Sequence, residues 1–395
     1  MLVTKQRRVA AMVALVACVA TAGCSSSKSA GNASTSAAST SSSAADTASS
    51  GPASGNGETA AKALVAQYSS KPTRFPVDQP LAKKLAPGQK IGFLQCAAPF
   101  CALLGDLYAL GTRTMGIPGV TTVKASASAD GIDTALSSVE ATKPAALLLP
   151  AVNLGAVGNN VLKLSKAGIP VVGAGVMGGP AQGIAAPVNG PANYVVHGKI
   201  LADWAIVTAG PGADIAFYGN PDFSFTPVIT SAFKAELAQN CPACHVRYVD
   251  IPGSAIGSTA PSRVVSDLQA HPKTQIALFG SLETATGLPV ALKTAGIKVK
   301  VAGSAPVPSN LQDMKTGGID AAVGLDAGVL AFTQVDAAVR LATKQPLTPA
   351  ESNGDIPSQL ITKANLPADV SKGFSAYPDF VARFTKLWAN AKAAS

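Results

Sequence analysis

The chain has 395 residues, 47 % of them hydrophobic and 13 % charged, with a formal net charge of +9. The basic excess is spread out, with no basic run and no basic stripe interleaved with aromatics. It gives no support to a nucleic-acid partner and leaves only a general attraction to an anionic membrane or cell wall.

The first predicted element is a secretory signal over residues 1–23. Lys5, Arg7 and Arg8 make a basic start, residues 9–20 are uncharged and mostly apolar, and the small pair Ala22 and Gly23 precedes Cys24. Such a segment is too short for a stable membrane span. A cysteine directly after the small residues resembles a bacterial lipobox, with Thr21 where Leu is usual. Cys24 is therefore expected to carry the lipid, its thiol taking the diacylglycerol and its amine becoming the new N-terminus. An ordinary cleaved signal beside a chance cysteine is the alternative. The residues after Arg7 and Arg8 do not continue a twin-arginine pattern. With the three basic residues of the signal set aside, 28 basic against 22 acidic residues leave the remaining chain at +6.

Residues 24–59 are made almost entirely of Ser, Ala, Thr and Gly, with no aromatic residue. Such a stretch cannot bury enough apolar surface to fold, and a flexible tether is expected. The roughly 335 residues beyond it are too many for one simple core and predict two lobes.

From residue 90 onward short apolar runs alternate with amphipathic stretches. Strands are expected at 91–96, 121–125, 145–150, 170–176 and 183–188, then at 214–219, 246–251, 275–280, 299–303 and 321–325. Several are apolar throughout, as strands covered on both faces of a parallel sheet are. Helices are expected between them at 102–115, 131–142, 154–167, 192–209, 226–239, 260–271 and 283–295. Two such sets predict an α/β fold of two doubly wound lobes. At the C-terminal end, 327–343 reads as helix, 359–362 as a short strand, and 377–391 as an amphipathic helix carrying Phe380, Phe384, Leu387 and Trp388 on one side.

Catalytic and metal-binding patterns are scarce. His197, His245 and His271 have no partner at metal-ligand spacing, and a solvated or capping role is expected for each. Nucleophile-elbow, zinc-protease and phosphate-loop motifs are missing from the sequence, so no enzyme, metal or cofactor is expected. Beyond Cys24 the cysteines form two close pairs, Cys96 with Cys101 and Cys241 with Cys244, which read as disulfides in an oxidising compartment. Cys241-Pro-Ala-Cys244 resembles a redox motif, but it follows a predicted helix instead of opening one, so the activating helix N-terminus is lacking and a structural bridge is expected. Open α/β sheets bind ligands outside the C-terminal ends of their strands. Phe100, Phe223 and Phe225 fall in such strand-end loops, where polar residues are the default.

The order of the segments resembles the ribose-binding-protein-like (class I) substrate-binding proteins of ABC importers, in the sugar-binding branch related to LacI-type regulators. The residues that carry it are Lys-Ile-Gly-Phe-Leu-Gln at 90–95, Ala-Gly-Ile-Pro-Val-Val at 167–172, Ala-Gly-Ile at 295–297, Ala-Gly at 302–303, Gln-Leu-Ile-Thr-Lys-Ala-Asn at 359–365 and the stretch 380–388. The two cysteine pairs look like an exported, actinobacterial subgroup. The resemblance covers about residues 60–395. It implies a periplasmic binding protein type I architecture, two lobes joined by three crossing strands near 187–190, 325–328 and 355–358. Lobe 1 would hold 60–188 and 328–355, lobe 2 would hold 190–325, and 356–395 would add a strand and a helix packed on the lobes.

The departures from the family concern the ligand. Sugar binders of this family usually offer an Arg after the first strand of lobe 2, where this chain has Ser224-Phe-Thr-Pro227. They offer Asn-Asp after the third, where Ser281-Leu-Glu283 stands, and Gly-x-Asp after the fourth, where Gly303-Ser-Ala305 stands. Leu325 replaces the usual Gln at the second crossing, with Asp326 beside it. Unpaired buried hydroxyls cost about 1–3 kcal/mol each, so the losses argue for a ligand less polar than a monosaccharide. Phe100, Phe223 and Phe225 would contact it, with Gln95, Asn153, Glu283 and Asp326 as polar anchors.

The implied role is an extracytoplasmic, lipid-anchored, monomeric binding protein that delivers a small molecule to an ABC permease. A ligand-sensing receptor for a membrane signalling protein and an exported thiol oxidoreductase are the alternatives. A DNA-binding regulator shares the lobes, but a signal stands where its helix-turn-helix would be.

Overall fold

A computed structural model of the chain describes residues 54–126 and 128–394. The signal segment, Cys24 and residues 24–53 of the tether lie outside the described residues. The chain runs through α1 (Ser54–Ser69), β1 (Lys83–Lys84), β2 (Ile91–Gln95), α2 (Pro99–Met115), β3 (Thr121–Lys124), α3 (Ala129–Thr142), β4 (Ala146–Pro150), α4 (Leu154–Lys166), β5 (Val171–Ala174) and β6 (Ile184–Val188). It continues through α5 (Pro191–Ala209), β7 (Asp214–Gly219), α6 (Thr226–Asn240), β8 (His245–Asp250), α7 (Ala260–Ala270), β9 (Ile276–Phe279), α8 (Leu288–Ala295), β10 (Lys300–Ser304), α9 (Pro308–Thr316) and β11 (Ala321–Leu325). The last elements are α10 (Ala327–Ala342), α11 (Pro349–Asn353), β12 (Ser358–Thr362), α12 (Phe380–Trp388) and β13 (Lys392–Ala393).

Lobe 1 is a five-stranded parallel sheet in the order β3-β2-β4-β5-β6, and lobe 2 a six-stranded sheet in the order β12-β11-β10-β9-β7-β8. All pairings in lobe 2 are parallel except β12, which runs antiparallel to β11 at the edge. Alternate residues of each central strand feed opposite faces. Phe93 and Leu148 join the core under α2 and α10, while Leu94 and Leu147 join the core under α3 and α4. In lobe 2, Phe217 and Leu278 face α5 and α6, and Tyr218 and Phe279 face α7 and α8. Burial of both faces is why these strands read as unbroken apolar runs.

Several places depart from the sequence expectation. The tether was expected to extend to residue 59, but helix α1 starts at Ser54. Ala61 is buried, and Leu64, Val65 and Tyr68 pack on the lobe 2 core formed by α5 and α6. That contact supplies the apolar burial the composition of the stretch lacks by itself, and it puts α1 on lobe 2, not on lobe 1 where residues from 60 onward were expected. The helix expected at 283–295 is broken: Leu282–Ala285 is a 3-10 turn, and α8 begins only after Gly287, whose φ is +82°. Helix α9 was not anticipated, because its sequence is polar and buries only Asn310, Leu311 and Met314.

The C-terminal segment divides between the lobes. Strand β12 closes the lobe 2 sheet, whereas Phe384 and Trp388 of α12 are buried in the core of lobe 1. A fourth segment also bridges the lobes. After α1 on lobe 2, Phe75 packs edge-on against Tyr377 and Phe384 at 5.3 Å, and Leu81 N donates to Leu387 O at 2.9 Å.

The three hinge crossings are the links β6–α5, β11–α10 and α11–β12. At the first and third, Gly190 N donates to Gly354 O at 3.2 Å. Gly354 has φ +71°, and a Cβ there would fall 2.4 Å from Gly190 N and Pro187 O, so only glycine lets the crossings touch. Asn193 Nδ2 donates to Asn189 Oδ1 (2.9 Å) and to Ile356 O (2.5 Å), tying the same two crossings. His197 corrects the expectation of a solvated or capping histidine. It is fully buried, with Nδ1 2.7 Å from Ser304 Oγ and Nε2 2.8 Å from Ser358 Oγ, and burial lowers its pKa to about 3. His271 does cap α7, through Nδ1 to Asp267 O at 2.8 Å, and His245 is exposed at the start of β8.

One buried ionic cluster fixes α10 to its surroundings. Arg340, Asp336 and Glu351 are almost fully buried. The Arg340 guanidinium meets Asp336 and donates to Gln79 O at 2.6 Å, Trp388 Nε1 donates to Asp336 Oδ2, and Glu351 Oε2 accepts from Thr348 N at 2.6 Å. Burial and the neighbouring Asp336 push the Glu351 carboxyl well above its usual range, so one proton stays with the pair.

Arg340→Met should therefore cost about 3–5 kcal/mol in urea unfolding, because it strands a buried carboxylate. Glu351→Gln, which replaces an acid that already holds a proton, should cost under about 1 kcal/mol; equal losses for the two would contradict this assignment. His197 gives a pH signature. Its folded pKa lies below the unfolded value, so between pH 6.5 and 3 the unfolded chain binds the extra proton and stability falls as pH falls. The stability gap between the parent and His197→Gln should shrink by about 2 kcal/mol from pH 7 to pH 5. A gap independent of pH would show that His197 titrates normally.

Candidate functional site

The C-terminal strand ends of the two sheets face one another, and a small cavity of about 50 Å³ lies between them. Lobe 1 supplies Cys96, Phe100, Cys101, Pro150 and Ala174, among others, and lobe 2 supplies Tyr194, Phe223, Phe225, Ser281, Glu283, Ala305 and Leu325. This is the position where open α/β sheets bind ligands. At this volume it holds one to a few waters, whereas ligand pockets span about 300–1,000 Å³. A sugar-sized ligand enters only when the lobes part, a hinge motion.

The lobe 1 wall begins in the turn after β2. The Cys96–Cys101 disulfide ties the end of β2 to the first turn of α2, and Phe100 lies in that turn, where the sequence had placed it in a loop. Ala98, at the N-cap of α2, offers no side-chain cap. A carboxylate from the other lobe takes that place, since Phe100 N donates to Glu283 Oε1 at 3.1 Å. An anion at a helix N-terminus satisfies an orphan N–H and opposes the positive end of the helix dipole. Glu283 is 3 % exposed, and burial pushes its pKa up to about 7 against the lowering effect of that hydrogen bond.

The lobe 2 wall is aromatic. The loop after β7 is held by Phe223 N to Asn220 O (3.2 Å) and Thr226 N to Phe223 O (3.1 Å). Phe223 stacks on Phe225 at 5.6 Å, and Phe225 stacks on Tyr194 at 4.7 Å. Tyr194 OH accepts from Asn189 Nδ2 at 2.6 Å, so the ring stack is anchored on the first hinge crossing. Ser224 Oγ, between the two phenylalanines, donates to Gly175 O of lobe 1 at 2.8 Å. Gly175 has φ +67°, and a Cβ on it would lie 2.5 Å from Tyr194 OH, so the close approach of Tyr194 needs glycine there.

Of the residues singled out in the sequence, Phe100, Phe223, Phe225 and Glu283 line this cavity. Gln95, Asn153 and Asp326 do not. Asn153 caps α4, its Oδ1 accepting from Gly155 N at 2.9 Å. Asp326 is fully buried and committed to the fold, accepting from Val329 N (2.9 Å), Ser375 Oγ (2.8 Å) and Ala376 N (2.8 Å). Gln95 ends β2 beside Lys124 of β3. The sequence reading missed Tyr194, whose signal was weak: one aromatic in the first turn of a helix, five residues after Asn189. Both expected cysteine pairs are disulfides in the structure, and Cys241 terminates α6 as the C-cap, away from the cavity. Among the described residues no cluster of His, Cys, Asp or Glu could hold a metal ion, and no helix is long and apolar enough to cross a membrane.

With this geometry in place, similarity to known proteins is informative. The family model for a periplasmic binding protein domain matches residues 111–346, more than half of the chain. The fold matches a Caulobacter myo-inositol binding protein bound to myo-inositol, with 19 % identity and a TM-score of 0.62 over 70 % of this chain and 94 % of that one. It matches a glucose-galactose binding protein from Geobacillus stearothermophilus, at 14 % identity and a TM-score of 0.60 over 71 % and 99 % of the two chains. It also matches an ABC transporter solute binding protein from Agrobacterium vitis with bound D-fucose, at 16 % identity and a TM-score of 0.61 over 72 % and 99 %. No curated protein sequence matches the chain. The match over residues 111–346, two doubly wound lobes and a three-crossing hinge lead to one conclusion: the chain belongs to the periplasmic binding proteins, a family of extracytoplasmic substrate-binding proteins, and has their ribose-binding-protein-like fold.

Proposed function

We propose that this protein is a lipid-anchored solute-binding protein that captures a small molecule between its lobes and delivers it to an ABC permease. The observation that carries the reading is the cavity at the facing strand ends, walled by both lobes and latched by two hydrogen bonds between them, Phe100 N to Glu283 and Ser224 Oγ to Gly175 O. Each such bond contributes about 1 kcal/mol net, so a ligand contacting both walls shifts the balance between open and closed lobes by its own differential affinity. Lipid attachment at Cys24 would keep the protein at the outer face of the membrane beside its permease.

The ligand is less polar than a simple sugar. Its wall would be Phe100, Phe223, Phe225 and Tyr194, with Glu283 as the charged anchor. At three of the four positions where sugar binders of this family carry polar partners, the cavity presents Ser281 with Glu283, Ala305 and Leu325. The ligands of the similar structures, myo-inositol and D-fucose, are rich in hydroxyls that these residues would leave unpaired.

A thermal-shift panel of pentoses, hexoses, polyols, aromatic acids and steroids tests this. A ligand at ~100 times its dissociation constant stabilises the fold by about 2.7 kcal/mol, a shift of several degrees. Apolar or aromatic compounds should give the largest shifts, and Phe223→Ala should weaken their binding about tenfold. Binding of a free pentose or hexose tighter than any aromatic compound would sink the less-polar reading. Separately, Cys24→Ala should move the protein from the membrane to the soluble extracytoplasmic fraction; unchanged membrane retention would sink the lipid anchor.

A further inference from the structure

Glu283 is the one carboxyl group in the cavity wall. It accepts one hydrogen bond, from Phe100 N, and among the described residues no Lys, Arg or His lines the wall. Tyr194 is the other titratable lining residue, and its hydroxyl already accepts from Asn189. Ser281 contributes a hydroxyl, and the remaining wall is the three-ring stack, Phe100, aliphatic side chains and a disulfide. A buried carboxylate without a cation is unstable as a charge and becomes favourable when one is brought to it. The backbone N–H of α2 meets only one of its oxygens.

We infer that the site selects an organic cation: a primary or secondary ammonium carried on a flat, largely apolar frame, with the ammonium on the Glu283 carboxylate and the frame against the Phe223–Phe225–Tyr194 stack. This rests on the solute-binding reading above and sharpens it to a chemical class. The aromatic wall suits such a ligand twice over, because it buries the frame and because ring faces attract cations. Burial alone holds Glu283 partly protonated near neutral pH. Seating an ammonium beside it lowers its pKa again, so the fraction of a proton that the carboxyl holds leaves for solvent as the cation binds.

The test is isothermal titration at pH 6.5 in two buffers of different ionisation heat. The probes are arylalkyl and cycloalkyl amines, such as 2-phenylethylamine and tryptamine, each paired with the alcohol of the same frame. Amines should bind at least about tenfold tighter than their alcohols, as expected for a charge-assisted hydrogen bond, and should release protons. Glu283→Gln should weaken amine binding at least about tenfold more than it weakens binding of the matched alcohols, and should abolish the proton release, with circular dichroism confirming the fold. Alcohols that bind as tightly as their amines, amines that bind without proton release, or silence from every amine would each overturn the inference. If neutral apolar compounds bind and amines do not, the solute-binding reading stands and only the cation is lost. If myo-inositol binds and neither probe class does, the less-polar reading falls with it.

Discussion

The contact between the first and third hinge crossings is the constraint on which the molecule depends. Gly190 and Gly354 touch backbone to backbone, at a distance no side chain would permit. Around that point the crossings are pinned by Asn193 and by His197, which bonds to Ser358 at the start of β12 and to Ser304 at the end of β10. The pivot is thus small, with Asn189, Asn193 and His197 buried and hydrogen-bonded at its centre. What lies on the cleft side of it, including Tyr194 three residues before His197, is positioned by the pivot rather than by the lobes alone.

The cleft itself is held by weak forces. Two hydrogen bonds connect its walls, and one of them is an unusual division of labour: a helix of one lobe, lacking its own cap, is capped by a carboxylate of the other. Opening exposes an uncapped helix end and a carboxylate, both of which water can satisfy. Besides these bonds, the apolar residues of both walls, Phe100 and Leu104 on one side and Phe223 and Leu325 on the other, favour closing. Such a balance suits a binding site, because a ligand with modest differential affinity can decide it.

Lobe 1, by contrast, is locked from the back. Arg340 bonds to Asp336 and to the backbone of Gln79, while Trp388 bonds to Asp336 from the terminal helix. The N-terminal segment that descends from α1 on lobe 2 thus ends at this buried ionic cluster of lobe 1, and it forms a fourth connection beside the three crossings.

Sequence alone was sufficient for most of the alternation of strands and helices, α9 and the break before α8 excepted, and for the cysteine pairs. Strands buried on both faces write themselves as apolar runs, and cysteines three to five residues apart have only local partners. It also marked the strand-end loops that carry Phe100, Phe223, Phe225 and Glu283, since the topology of a doubly wound sheet fixes where those ends lie. What it left open follows from long-range geometry. Helix α1 has a composition that would not fold alone, and it forms because α5 and α6 offer a surface. Asp326 looked like a ligand anchor, yet it is consumed by backbone N–H groups some fifty residues away in sequence. Tyr194 drew no notice in the sequence and His197 read as a solvated or capping histidine, and only the folding of distant crossings against their helix makes one a wall of the cavity and the other part of the hinge. Local pattern reports which face of an element is buried. Which side chains meet across a cleft is decided by residues far apart in the chain, and only the tertiary structure brings them together.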